Sequence, residues 1–248
     1  MWIEKYAMNL QMLVQQRYIG PFLAPGSKEV LLEYVVRLHD VAQQARRNRQ
    51  WVWTIPRERP LTFRENEQRL QVDLAGKIAG EGDNVVEVRT LMRVWSLDSS
   101  MCYRVGIDSV EIEEKLRRIG RRVLVRYHFD CRAGNATRPE PFYHLQVGGN
   151  AVEDENCWFP IRLDIPRFHF PPMDIVLLCE LVLVNFFDQQ SEDLRKKPEW
   201  VSLVRKSQEA FQGRYFQEFF SILKDETNTL LGHLASMRLH GIGTPKKH

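Results

Sequence analysis

The chain has 248 residues, 44% hydrophobic and 27% charged, with 35 basic against 32 acidic side chains. That is ample apolar material for one large domain or two small ones, and a net charge of +3 is too small to demand a nucleic-acid partner on bulk charge alone, although local patches remain open. The four cysteines, Cys102, Cys131, Cys157 and Cys179, are far apart and form no C-x-x-C pair, which argues against a zinc knuckle or a disulfide scaffold and fits a reduced cytoplasm.

Residues 1–19 are weakly amphipathic and predict a helix stopped by Gly20-Pro21. Glu4 and Lys5 sit among its apolar residues, so it lacks the apolar stretch of a signal peptide. Ser27 opens a stronger helix with an apolar stripe at Leu31, Val35, Leu38, Ala42 and Ala45. Arg46, Arg47 and Arg49 close it, where the helix dipole favours cations; a solvated helix end explains that cluster better than a phosphate contact. From Trp51 the period changes to two. Residues 51–55 read as a short strand closed by Pro56, and 69–78 alternate Leu70, Val72 and Leu74 against Arg69, Gln71 and Asp73. Residues 80–84 make a turn, and 85–96 return with Val86, Val88, Met92 and Val94 on the apolar side and Glu87, Arg89 and Arg93 facing away. Asp108-Ser109-Val110-Glu111 predicts a capping box opening a short helix that Gly120 stops.

Residues 123–131 and 142–148 complete the sheet, and the last third is helical. Pro171-Pro172 leads into a helix through Phe187 that is apolar on nearly every face. Pro198 fits the first turn of another, with Trp200, Leu203, Ser207, Phe211, Tyr215, Phe219 and Ile222 on one stripe, before a loose tail from about Leu239. The expected fold class is α+β, an antiparallel sheet of about five strands with helices packed on one face, N-terminal helices and a C-terminal helical segment. An N-terminal helical segment (1–50), a sheet core (51–190) and a C-terminal helical segment (191–248) would make one compact domain. The most apolar run, residues 175–187, is interrupted by Glu180 and Asn185 and is too short to span a bilayer. A soluble cytoplasmic protein with no membrane partner is expected.

Function points to the polar side of the sheet. In a strand successive side chains face opposite ways. Packing Val123, Val125, Tyr127, Phe129, Tyr143, Leu145 and Val147 on the helices therefore leaves Arg122, Arg126, His128, Asp130, His144 and Gln146 on the other face. The connecting loop is too long to fix register, but parity requires even residues opposite even ones, so either His128 or Asp130 stands against His144. His169, just before the apolar helix, is placed to approach the same area. Such a cluster admits metal-assisted or histidine-based phosphodiester cleavage by His128, Asp130, His144 and His169, with Arg126 stabilising developing charge. A His-x-Asp pair on a strand is more often a plain surface hydrogen bond, and no H-E-x-x-H, Walker or G-x-S-x-G motif accompanies it. Gly148-Gly149-Asn150 reads as a strand-ending turn rather than a phosphate cradle, because no Lys-Ser/Thr follows.

The same face collects Arg69, Lys77, Arg89, Arg93, Arg122 and Arg126 against Asp73, Glu87 and Asp130, with Trp95 and Phe142 as flat platforms. That combination suits phosphate contacts and base stacking on a single strand. An acidic protein partner, or a third layer made by the N-terminal helices, explains it equally well.

Tyr127-x-Phe129-Asp130, Tyr143-His144-Leu145-Gln146, Gly149-Asn150, Pro166-Arg167-x-His169-x-Pro171 and Asn185-Phe186-Phe187 occur in that order. In this the region 122–187 resembles a loosely defined group of uncharacterised bacterial proteins with an aromatic strand ending in Asp, a His-Leu-His or His-Leu-Gln strand and a helix closing in an Asn-Phe-Tyr-like triplet. The resemblance implies a bacterial origin and a single structural unit, and it brings no activity and no catalytic residues. Gln146 stands where a second His would strengthen a metal site. The expectation is therefore a cytoplasmic bacterial binding or accessory protein without a cofactor, whose contact residues are Arg89, Arg93, Arg126, His128, His144 and Gln146 and whose partner is nucleic acid or an acidic protein.

Overall fold

The structure, a computed structural model, describes residues 2–15, 18–47, 49–64, 70–82, 84–96, 122–132, 143–147 and 168–224. Helix α1 (Trp2–Gln15) buries Ile3, Tyr6, Leu10 and Leu13 at helical spacing. Helix α2 (Ser27–Arg46) begins after Gly26, whose φ of 82° lies in the left-handed region that suits glycine. The Ser27 hydroxyl accepts from the Thr62 amide at 3.1 Å, so it holds the chain entering the sheet rather than capping its own helix. Arg46 pairs with Glu4, which ties the end of α2 to the start of α1.

Seven strands form one antiparallel sheet. They are β1 (Gln50–Ile55), β2 (Leu61–Arg64), β3 (Leu70–Glu81), β4 (Asn84–Ser96), β5 (Arg122–Arg132), β6 (Tyr143–Val147) and β7 (Phe168–His169). The order is β1-β3-β4-β5-β6-β7, with β2 also on β3. The α+β class with helices on one face stands. Strands β2 and β7 were not foreseen, because four and two residues are too few to show a period.

The expected placement of Val86 on the apolar side is corrected. Ala79 stands opposite Glu87 and Gly80 opposite Val85, so Val86 has no counterpart and lies 39% exposed in a bulge. The capping box at 108–111, Gly148-Gly149-Asn150 and the tail fall outside the described residues.

Trp53, Phe63, Leu74, Ile78, Met92 and Phe129 line the covered face. The indole N–H groups of Trp51 and Trp53 donate to the Gly82 carbonyl at 2.8 Å and the Tyr34 carbonyl at 2.9 Å, so both rings are buried without an orphan donor. Helix α3 (Ile175–Phe186) starts after Asp174, whose carboxylate accepts from the Leu177 amide at 2.9 Å; the prolines before it stay outside the helix. Ser207 donates to the same carboxylate at 3.0 Å, and the Tyr6 hydroxyl lies nearby. Burial nevertheless pushes the Asp174 carboxyl up to about 6.

Helices α4 (Asp188–Arg195), α5 (Pro198–Ser207) and α6 (Gly213–Leu223) follow. The single helix expected from Pro198 is interrupted by a π-helical turn over Gln208–Gln212, yet Trp200, Leu203, Ser207, Phe211 and Tyr215 remain buried. Among the described residues no helix is long and apolar enough to cross a membrane.

The helical layer packs closely on the sheet at Gly76. A Cβ there would lie 3.0 Å from Thr90 Cγ2, 3.2 Å from Ile175 Cδ1 and 3.3 Å from the Arg89 carbonyl. Thr90 locks the contact by donating to the Met173 carbonyl at 2.9 Å. Gly76→Ala is expected to destabilise the protein by about 1–3 kcal/mol through overpacking. A fall in the urea midpoint at unchanged slope would show it, and an unchanged midpoint would mean that the contact yields freely.

Candidate functional site

Strand register sorts the polar face into rows. Thr54, Lys77, Arg89, Asp130, His144 and His169 each stand opposite the next, from β1 to β7. Ala75, Leu91, His128 and Gln146 form the adjoining row, and Thr62, Asp73, Arg93 and Arg126 the row after it. Opposed Cβ atoms in a sheet lie about 4.5–5.5 Å apart. The expected contact residues Arg89, Arg93, Arg126, His128, His144 and Gln146 thus share one patch with Asp130, and His169 takes the register position across from His144. Of the two registers open to the sequence, the one setting Asp130 against His144 is adopted. Their side chains approach to 3.9 Å, from His144 Nε2 to Asp130 Oδ2.

The row through Asp73 is the most enclosed. Asp73 is 3% exposed, and its Oδ1 accepts from Thr62 Oγ1 at 2.8 Å and from Gln71 Nε2 at 2.9 Å. Its Oδ2 accepts from the Trp95 indole at 2.6 Å and lies 3.9 Å from Arg93 Nη2. Arg93 in turn donates to the Arg57 carbonyl at 2.6 Å, which draws the turn after β1 over this face. Arg126, 2% exposed, stands directly opposite Arg93. Like charges set across a ladder at low exposure repel, and the Asp73 carboxylate beside Arg93 offsets that repulsion.

The row through Arg89 is more open. Lys77 opposite Arg89 would repel it, but Glu87 reaches both, at 2.8 Å and 2.5 Å. These two cations keep about two-fifths of their side chains exposed, so such pairs contribute little to stability.

His128 lies between the two charged rows. Burial, and then the charges of Arg57, Arg126, Arg93 and His144, hold its imidazole down at about 4. The ring is therefore neutral at physiological pH, and its Nε2 is buried without a hydrogen-bond partner among the described residues.

Several expectations need correcting here. Trp95 is no stacking platform, because it is 6% exposed and its indole is committed to Asp73. Much of the polar face is buried rather than open. Strand β5 carries a register shift that leaves Leu124 without a counterpart, so parity cannot be extended to Arg122, which stands opposite Ser96. Arg69 and Phe142 lie outside the described residues. Among the described residues no group of three or more His, Cys, Asp or Glu side chains is placed to hold a metal. Pattern reading missed Arg57, because a turn folding over a sheet leaves no periodic mark, and it counted Asp73 as one surface charge where it is the anchor of the row.

The chain matches no known protein family, curated protein or solved structure.

Asp73→Ala would remove the carboxylate that faces Arg93 and accepts from the Trp95 indole. We expect a loss of about 3–5 kcal/mol in equilibrium unfolding, and a loss below about 1 kcal/mol would show that water replaces the carboxylate. For His128 the folded pKa lies below the unfolded one. Its contribution is complete above about pH 6.5 and is lost as pH falls through about 4, on the order of 3 kcal/mol in all. His128→Gln should remove that pH dependence from unfolding curves, and an NMR midpoint of about 6.5 for His128 would contradict it.

Proposed function

We propose that this chain is a binding or accessory protein of a bacterial cytoplasm, whose polar sheet face receives an anionic group of its partner. The observation that carries this reading is the accessible positive charge on this face, where Arg57 is exposed and Lys77 and Arg89 keep about two-fifths of their side chains exposed. A phosphate or carboxylate of the partner would meet these cations. The commitment of Trp95 to Asp73 favours contact with charged groups over base stacking. A nucleic-acid phosphate and a carboxylate of an acidic protein segment both suit a guanidinium fork.

One observation favours a second reading. The Asp130 carboxylate beside His144 is placed to orient that imidazole, as histidine-based cleavage of a phosphodiester requires. In that reading Arg126 stabilises the charge that develops.

Fluorescence anisotropy with a labelled single-stranded oligonucleotide and with a labelled acidic peptide tests both. Saturable binding that weakens with salt is expected, and Arg89→Ala should lower the salt slope by about 1 if this arginine meets a phosphate. Failure of both probes to bind at low salt would overturn the binding reading. Cleavage of the oligonucleotide that is lost in His144→Ala would replace it with the second.

A further inference from the structure

We propose that β1 is a self-pairing edge: two copies of this chain join antiparallel through Gln50, Val52 and Thr54, about a twofold axis passing between their Val52 residues. The proposal goes beyond the binding reading above and does not rest on it.

Strand β1 ends one side of the sheet, and its pairing with β3 fixes where its backbone groups point. Gln50 stands opposite Glu81 and Ile55 opposite Gly76, and the Gly82 amide donates to the Arg49 carbonyl at 3.1 Å in the same register. Antiparallel partners exchange bonds at every second pair. Counting from Arg49, Trp51, Trp53 and Ile55 bond β3, so the amides and carbonyls of Gln50, Val52 and Thr54 point away from the sheet. No backbone bond outside the ladder takes these groups up among the described residues. The neighbouring edge of β2 shows the contrast. There the Ala24 amide donates to the Thr62 carbonyl at 2.9 Å, the Thr62 amide donates to the Ser27 hydroxyl at 3.1 Å, and Leu23 bridges Phe63. The chain seals β2 and leaves β1 open.

Open edges are commonly guarded by charge, proline or a bulge. Residues 50–55 hold no charged residue and no proline, and their register with β3 is unbroken. Val52, at the centre, is 56% exposed between exposed Gln50 and Thr54. The occupant is indicated by the strand itself, because Gln50-Trp51-Val52-Trp53-Thr54 is symmetric in kind about Val52. An antiparallel copy in register at Val52 sets polar against polar, tryptophan against tryptophan and valine against valine. Outward groups then meet outward groups: Gln50 exchanges bonds with Thr54 of the second copy, and Val52 with its own counterpart. No like charges are opposed within the pairing, whereas a charged peptide would find no counter-ion inside the strand. Such a contact is isologous and closes on itself. Its axis runs perpendicular to the sheet, so both polar faces lie on the same side, and Lys77 and Arg89 of the two copies extend one basic surface.

A strand of 6 residues gives a small interface and a weak dimer. Sedimentation velocity of the full chain over rising concentration should show monomer giving way to dimer below ~1 mM. Val52→Pro removes an outward amide and no bond to β3, so it should keep the native circular dichroism spectrum and lose the dimer. Paired charges test the register without a proline. Gln50→Lys combined with Thr54→Lys sets cations against cations across the axis and should weaken the dimer about tenfold. Gln50→Lys combined with Thr54→Glu sets cation against anion at the same two places and should tighten it severalfold. A chain that stays monomeric to ~1 mM overturns the proposal. So does a dimer that ignores all three variants, or one that answers both charge pairs alike. Binding of an uncharged β-forming peptide by a persistently monomeric chain would give the edge to a foreign strand and overturn self-pairing as well. None of these outcomes bears on the anion-binding reading, which the oligonucleotide and acidic peptide test separately.

Discussion

The polar half of this protein depends on one buried carboxylate. Asp73 receives hydrogen bonds from Thr62 on β2, Gln71 on β3 and Trp95 on β4, and it faces the guanidinium of Arg93. Three strands are thereby fastened on the side of the sheet away from the helices, where apolar packing is sparse. The same carboxylate makes it tolerable to set Arg126 against Arg93 at low exposure. Without it the row would lose the carboxylate beside Arg93, the arginine that draws in the turn carrying Arg57.

Alternation made much of this legible. Residues 70–78, 85–96, 123–131 and 143–147 carry a period of two, and that period alone assigns His128, Asp130, His144 and Gln146 to one side. Strand pairing then had to be antiparallel in one of two even registers, and the structure uses one of them. Parity fails where the ladder is irregular. Val86 and Leu124 each lack a counterpart, and a bulge depends on the fit of both strands, which a single strand's pattern does not encode. Parity is also silent about cover. An alternating strand reports that its polar residues leave the apolar core, not whether they reach water, so Trp95 looked available for stacking although its indole is buried against Asp73.

The helical layer shows a similar division. The stripe from Trp200 to Tyr215 was visible as spacing, while the π turn inside it was not, because the stripe stays buried through the wider turn. The start of α3 was displaced from the prolines to Asp174, since a side-chain acceptor for the Leu177 amide fixes the first turn more firmly than a proline before it.

Gly76 brings the helical layer against the sheet backbone, and this leaves two titrating groups on opposite sides of it with opposite habits. Asp174 is raised to about 6, so its share of the folding free energy is complete below about pH 4 and fades as pH rises through 6. His128, lowered to about 4, behaves in the contrary sense across nearly the same interval. Mild acidification relieves a strained carboxylate beneath the sheet while it begins to burden an imidazole above it. The two groups thus answer modest acid in opposite senses.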